Sequence, residues 1–405
     1  MRNQGVTAVQ GLIASQASTE VTPRLRVRFV RCDNVILIAL PWLPFLSASP
    51  VLRVAGGFAV AASLLALLLA RARSGRRSDG APAAMLVLAL LFVGAEATDS
   101  VGLQSGAQVA QLLMIALVLW RAPYLVFDKR TLRLCCMVCV GLSLIALIDI
   151  VWDPTSGNGL MFDNPNAYGV AGLCWAGLLL RCASAANRKA RPVRVATWMI
   201  LPVLVTVFSD SRASMAAVLV IVAWMVIATP LRNKAPTLRA VLPLLMLCIP
   251  IATIALISNG MLNDIADLLP TVGEKSPFSG RNIIWLDIFV ELEANGYRGF
   301  GLGSLPGEIL EGHYEGLSAH NGFMQIFYQA GATGLVVFLV LVATTLVAAS
   351  KRHDNGASVA ILLGALLHEM FEVALTQNHF GSGLLLWIVV MAPFVVKQTR
   401  RVVAG

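Results

Sequence analysis

Uninterrupted apolar runs, most of them close to twenty residues long, recur from about residue 34 to residue 396. A run of about 20 apolar residues is what a helix needs to cross the hydrocarbon core of a bilayer. Backbone polar groups cannot go unpaired in lipid, so such runs must be helical. A closed barrel would instead show alternation of apolar and polar residues, which these runs lack. Only 13% of the 405 residues are charged and mean hydropathy is +0.76, where a soluble domain carries about 25% charged residues. The expected fold is therefore an all-α polytopic membrane protein with about 12 transmembrane helices.

The candidate spans are 34–51, 54–70, 82–98, 105–122, 134–152, 165–182, 195–209, 213–230, 240–258, 321–349, 357–375 and 381–396. Nine of them fall within 34–258 and three within 321–396. A reading with ten or eleven spans stays open. The flanking segments 1–33 and 397–405 are polar, basic tails. The first 33 residues lack the apolar core of a cleavable signal.

A net charge of +9 would point to nucleic acid in a soluble chain. Its distribution excludes that here. Basic residues cluster at every second gap, as at Arg71, Arg73, Arg76 and Arg77, or Arg188, Lys189, Arg191 and Arg194. On this pattern 26 of the 31 Lys and Arg lie on one side. By the positive-inside rule that side is cytoplasmic and holds both termini. Five basic residues face outward: Arg53, Arg212, Lys275, Arg281 and Arg298. No cysteine lies in an outward gap, so neither a disulfide nor a metal cluster is expected.

One outward gap is long, from about 259 to 320, with nine acidic and three basic residues. Within it Ser279 can cap a short amphipathic helix whose apolar face is Ile284, Trp285, Ile288, Phe289 and Leu292. Three polar groups punctuate the outward side: Ser209-Asp210-Ser211-Arg212, Gly280-Arg281-Asn282, and Ala319-His320-Asn321-Gly322. An arginine at a membrane boundary either snorkels to headgroups, pairs with an acid, or grips an anion in a wet cavity. For Arg281 the simple alternative is a salt bridge within its own loop. His320, at the start of a long helix, can cap that helix or accept a proton. Asn164-Pro165-Asn166, followed by Tyr168, forms a turn or presents amides to a sugar. Glu96, Asp99, His368, Glu369 and Glu372 are ionisable groups within or beside the spans, and they keep a proton-coupled secondary transporter in view. Against it, no inverted repeat is evident. A non-catalytic scaffold of a polysaccharide-assembly system leaves the Arg, Arg and His set without a purpose.

An outward Ser-Arg after a span, a Gly-Arg with a downstream Trp in the long loop, and His-Asn-Gly opening the next span, continued by Gly331 and Gly334, resemble the O-antigen ligase and polymerase family. The resemblance covers roughly residues 160–340. Ala213 departs from it, since many relatives carry glycine there. The resemblance implies a multi-pass protein of the bacterial inner membrane with its active site at the periplasmic face. The donor would be a glycan on undecaprenyl pyrophosphate. The acceptor would be lipid A–core in the ligase branch of lipopolysaccharide biosynthesis, or a second lipid-linked repeat unit in the polymerase branch. No cofactor is implied. With no acidic cluster near the outward motifs to hold a metal, Arg212 and Arg281 become the expected clamp on the leaving pyrophosphate. His320 becomes the base of a metal-independent, inverting transfer. Asn321, Asp210, Asn164, Asn166, Tyr168, Trp285 and Arg298 complete the set as substrate-binding candidates.

Overall fold

The computed structural model describes residues 33–48, 81–96, 102–152, 161–162, 164–186, 192–234, 241, 243–268, 278, 280–306, 318–352, 354, 356–376, 380–392 and 394–396. The expected second span, 54–70, lies outside them, as do Arg53, Ser279, Lys275, residues 1–32 and residues 397–405. The described residues are all-α apart from one two-residue parallel pairing, β1 (Val126–Phe127) with β2 (Val395–Val396).

The helices are α1 (Leu43–Ala48), α2 (Ala81–Glu96), α3 (Leu103–Arg121), α4 (Lys129–Trp152), α5 (Pro165–Ala186), α6 (Pro192–Phe208), α7 (Arg212–Lys234), α8 (Cys248–Ser258), α9 (Met261–Leu268), α10 (Arg281–Ala294), α11 (Gly322–Ser350), α12 (Ala357–Glu369) and α13 (Phe380–Met391). A 3-10 turn, Leu40–Trp42, leads into α1 where Pro41 interrupts the run. Among the described helices α4, α5 and α11 are long and apolar enough to cross a membrane, and seven shorter ones are apolar.

Helix α5 is the centre of the bundle. In its apolar window 89% of residues are buried, against 33% in α4 and 39% in α11. It packs on α6, α4, α7 and α13, while α7 also packs on α12, and α11 on α2. The outer helices turn Ile148, Val151, Val226 and Val336 outward. Such residues suit a lipid-facing surface and would be a liability in water.

Two expected spans end early. The expected 357–375 helix stops at Glu369, and 370–376 forms a non-helical link. The expected 381–396 helix stops at Met391. Its last carbonyls, which have no intrahelical donor, are met by two arginines. Arg181 donates to Val389 O (3.0 Å) and Ala392 O, and Arg352 to Val390 O and Ala392 O. Arg181 is buried and ion-paired with Asp354, so this member of the basic clusters is an internal brace.

Helix α11 is broken. Gly331 has φ 66° and ψ −169°, which a side chain would make costly. The freed backbone groups are taken up by the segment after α10. Tyr297 O accepts from Ala332 N (3.0 Å), while Phe300 N and Gly301 N donate to Tyr328 O (2.9 Å) and Gln329 O (3.0 Å). The side-chain amides of Gln325 and Gln329 both donate to Ser304 O, at 3.0 and 3.1 Å. In a bilayer a break of this kind persists only where protein replaces the lost hydrogen bonds.

Candidate functional site

The first turns of α5, α7, α10 and α11 and the link after α12 lie at one end of the bundle. The expected amphipathic helix is α10, which buries Ile284, Trp285, Ile288 and Leu292. Gly280 stands at its N-cap in a left-handed conformation, with no side-chain cap. The Trp285 indole N–H donates to Ala319 O (2.7 Å), and Ala319 N donates to the Gln325 side chain (2.9 Å). Residues 318–320 are thereby fixed against α10. Trp285 is 1% exposed, so its role is to anchor this segment.

Asn321 caps α11. Its side-chain oxygen accepts from Phe323 N (3.0 Å) and Met324 N (3.1 Å), as N-cap residues do. His320, just outside the helix, has φ 47°. That conformation turns its half-buried ring toward the link after α12.

Glu372 joins these elements. Its Oε1 accepts from Arg281 Nη2 (2.8 Å) and from Asn166 Nδ2 (2.8 Å), and its Oε2 lies 3.3 Å from His320 Nδ1. Arg281 Nη1 donates to Phe371 O at 2.6 Å. The Glu372 side chain is 4% exposed, and those of Arg281 and His320 are 20% and 28% exposed. Burial pushes the Glu372 carboxyl up. The hydrogen bond from His320 and the charge of Arg281 outweigh burial and hold it at about 2, below the ordinary 4.5.

The link that carries Glu372 is itself pinned. Glu369, fully buried, accepts from Ala374 N (2.9 Å) and Leu375 N (2.8 Å) through Oε2. Its Oε1 has no hydrogen-bond partner among the described residues. It rests against Gly322, where a Cβ would fall 1.9 Å from it. The start of α11 and the end of α12 are thus in direct contact beneath His320.

The other sequence candidates are distributed as follows. Asn164 closes a turn, its side chain accepting from Asn166 N at 2.8 Å. The Tyr168 hydroxyl donates to Asp149 and is buried, which makes Tyr168 a brace between α4 and α5. Asp210 has φ 54° in the exposed corner between α6 and α7. Arg212 opens α7 beside it. The neighbouring Ser211 lies so close to Gly169 that a Cβ there would fall 2.5 Å from the Ser211 Cβ, which sets this corner against the first turns of α5. Arg298 is exposed beyond the C-terminal end of α10, about 20 Å of helix from Arg281. The described hydrogen bonds therefore gather His320, Arg281 and Asn166 on one carboxylate and leave Arg298, Tyr168 and Trp285 elsewhere.

The residue that sequence reasoning missed as part of this site is Glu372. Its sequence signal is a carboxylate at the outward end of an apolar run, which by itself fits a proton path as well as a site. Arg281 does form a salt bridge, but not the one expected within its own loop. Its acid comes from 91 positions away rather than from the loop.

Next to this cluster an apolar cleft of about 90 Å³ is lined by Val220, Leu247, Pro250, Phe323, Leu366 and Met370, among others. Among the described residues no three His, Cys, Asp or Glu side chains could jointly hold a metal ion.

Residues 197–339 match the family model described as O-antigen ligase. No curated protein matches the chain significantly. The matched segment contains Arg212, Arg281, Trp285, His320 and Asn321; Asn166 and Glu372 reach the site from outside it. The chain is a membrane protein whose residues 197–339 are similar to the O-antigen ligase family.

Proposed function

We propose that the chain transfers a glycan from undecaprenyl pyrophosphate to a sugar hydroxyl at the periplasmic face of the inner membrane, acting as a ligase on a lipid A–core acceptor. The observation that carries this reading is the contact of Glu372 with His320, Arg281 and Asn166 at the end of the bundle away from the basic clusters.

The geometry supports the following chemistry. Glu372 Oε2 takes a hydrogen bond from His320 Nδ1–H, which fixes the tautomer and leaves Nε2 with its lone pair for the acceptor hydroxyl. A carboxylate that orients a histidine and stabilises the imidazolium formed during proton transfer is a recurrent arrangement. The hydroxyl oxygen then attacks the anomeric carbon as the bond from that carbon to the phosphate oxygen breaks, inverting the configuration. The pyrophosphate leaves with the electron pair of the broken bond, and this growing charge needs fixed cations. Arg212 and Arg281 are assigned to it, and no metal is called for. With Nη1 and Nη2 engaged, Arg281 contributes its field and its hold on Glu372 more than a free fork. The apolar cleft beside Phe323 and Met370 has room for no more than a short hydrocarbon segment, such as an isoprene unit next to the donor phosphate.

The test is transfer from lipid-linked glycan by purified protein, with lipid A–core and with a second lipid-linked repeat unit supplied as separate acceptors. Transfer to lipid A–core is expected. Transfer only to the repeat unit would make the chain a polymerase, and transfer to neither would reject the reading.

A further inference from the structure

At the end of the bundle opposite His320, a cleft of about 960 Å³ opens between α11, α13 and the starts of α2 and of the 243–258 segment. Its walls include Pro82, Ala83, Leu244, Ala343 and Val347, and Lys351 stands at its rim. This volume is at the upper end of what ligand sites occupy. Thr344, the hydroxyl-bearing wall residue, donates to Leu341 O at 2.8 Å within its own helix. The wall accordingly presents hydrocarbon with its polar demand already met. Hydrocarbon walls at bilayer depth offer water no partners, so an acyl chain is the natural filling.

The rim differs in kind. Lys351 is exposed and forms no ion pair among the described residues. Arg352 is held against the last carbonyls of α13, which fixes that wall of the cleft. Lys351 follows the last residue of α11 and belongs to the set of basic residues expected to face the cytoplasm. A cation at the mouth of an apolar cleft on the cytoplasmic side matches one ligand chemistry, an anionic headgroup joined to acyl chains.

We propose that this cleft is a binding site for an anionic phospholipid of the cytoplasmic leaflet, its phosphate at Lys351 and an acyl chain along Ala343, Val347 and Leu244. The site is separate from the His320 cluster, and the proposal holds whatever the chain transfers.

The experiment uses the full chain purified in detergent and titrated with phosphatidylglycerol, phosphatidylcholine or inorganic phosphate, with the thermal unfolding midpoint as readout. Phosphatidylglycerol should raise the midpoint at lower concentration than phosphatidylcholine, and inorganic phosphate should not raise it. Lys351→Ala should weaken the phosphatidylglycerol effect about fivefold, the worth of one basic residue near an anionic surface, and Lys351→Arg should retain it. Ala348→Leu, which intrudes on the wall, should weaken the response to lipid while leaving the lipid-free midpoint near wild type. Equal responses to the two lipids, or no effect of Lys351→Ala, would overturn the anionic selectivity. A full effect of inorganic phosphate would reduce the site to a simple anion site. An unchanged response in a folded Ala348→Leu protein would place the lipid elsewhere.

Discussion

Arg281 and Glu372 stand 91 positions apart in the chain and meet at 2.8 Å, with the same carboxylate reaching to 3.3 Å from His320. The contact ties the loop helix α10 to the link after α12 and sets the acid behind the histidine. Glu372→Gln should therefore lower transfer by about 10²–10³, since the amide can present its NH2 to Nδ1 and favour the wrong tautomer. Initial rates on lipid-linked glycan, at matched amounts of folded protein, measure this. Rates near wild type would remove Glu372 from the mechanism.

His320→Ala should cost about 10²–10⁴ in rate, the usual contribution of a positioned general base. His320→Gln should not rescue it, because an amide cannot take the proton. Rates for both variants with the same donor and acceptor check this, and full activity of His320→Gln would make the residue a spacer.

Arg281→Lys should impair transfer about as much as loss of a preorganised charge partner does, roughly 10². One ammonium cannot reproduce the planar fork that serves Phe371 O and Glu372 together. The variant's rate and its unfolding midpoint, taken together, separate a catalytic loss from a folding loss.

The Glu372 carboxyl also gives a pH signature. Its folded-state value, about 2, lies below the ordinary 4.5. Lowering in the folded state means that its contribution to stability is present above pH 4.5 and is lost as the pH falls from there toward 2. Unfolding midpoints of wild type should drop across that window more steeply than those of Glu372→Gln. Parallel curves would contradict the ion pair.

Sidedness can be read by labelling. Asp267→Cys, at an exposed position in α9, should react with an impermeant maleimide added outside intact spheroplasts. Lys351→Cys should react only after permeabilisation. The reverse pattern would invert the chain and reject a periplasmic site.

Much of the bundle was legible because lipid leaves a chain few options. Runs near 165–182 and 321–349 could only be helices, and α5 and α11 are close to those bounds. The early stops at Glu369 and Met391 were not legible. Hydropathy counts the apolar residues on either side of a buried carboxylate and does not register that Glu369 accepts backbone N–H groups from Ala374 and Leu375. The site was half legible. Arg281 and His320 stood out as polar residues at an apolar edge. Glu372 is equally visible in the sequence, but its partners come from α5, α10 and the residue before the α11 cap, and no local spacing links them. For Asn321 and Tyr168 the sequence does not show that their polar groups also serve the fold, one as a cap on α11 and the other bonded to Asp149.

The break at Gly331 bears on how this protein could be re-engineered. Because residues 297–304 complete the hydrogen bonding of α11, the long loop is not a cassette that can be exchanged between relatives with its ends left in place. A graft would have to carry the Tyr297–Ser304 stretch and the Gln325–Ala332 stretch together, as one interlocked module. A chimera that split them would leave the backbone groups freed by the break in α11 without partners.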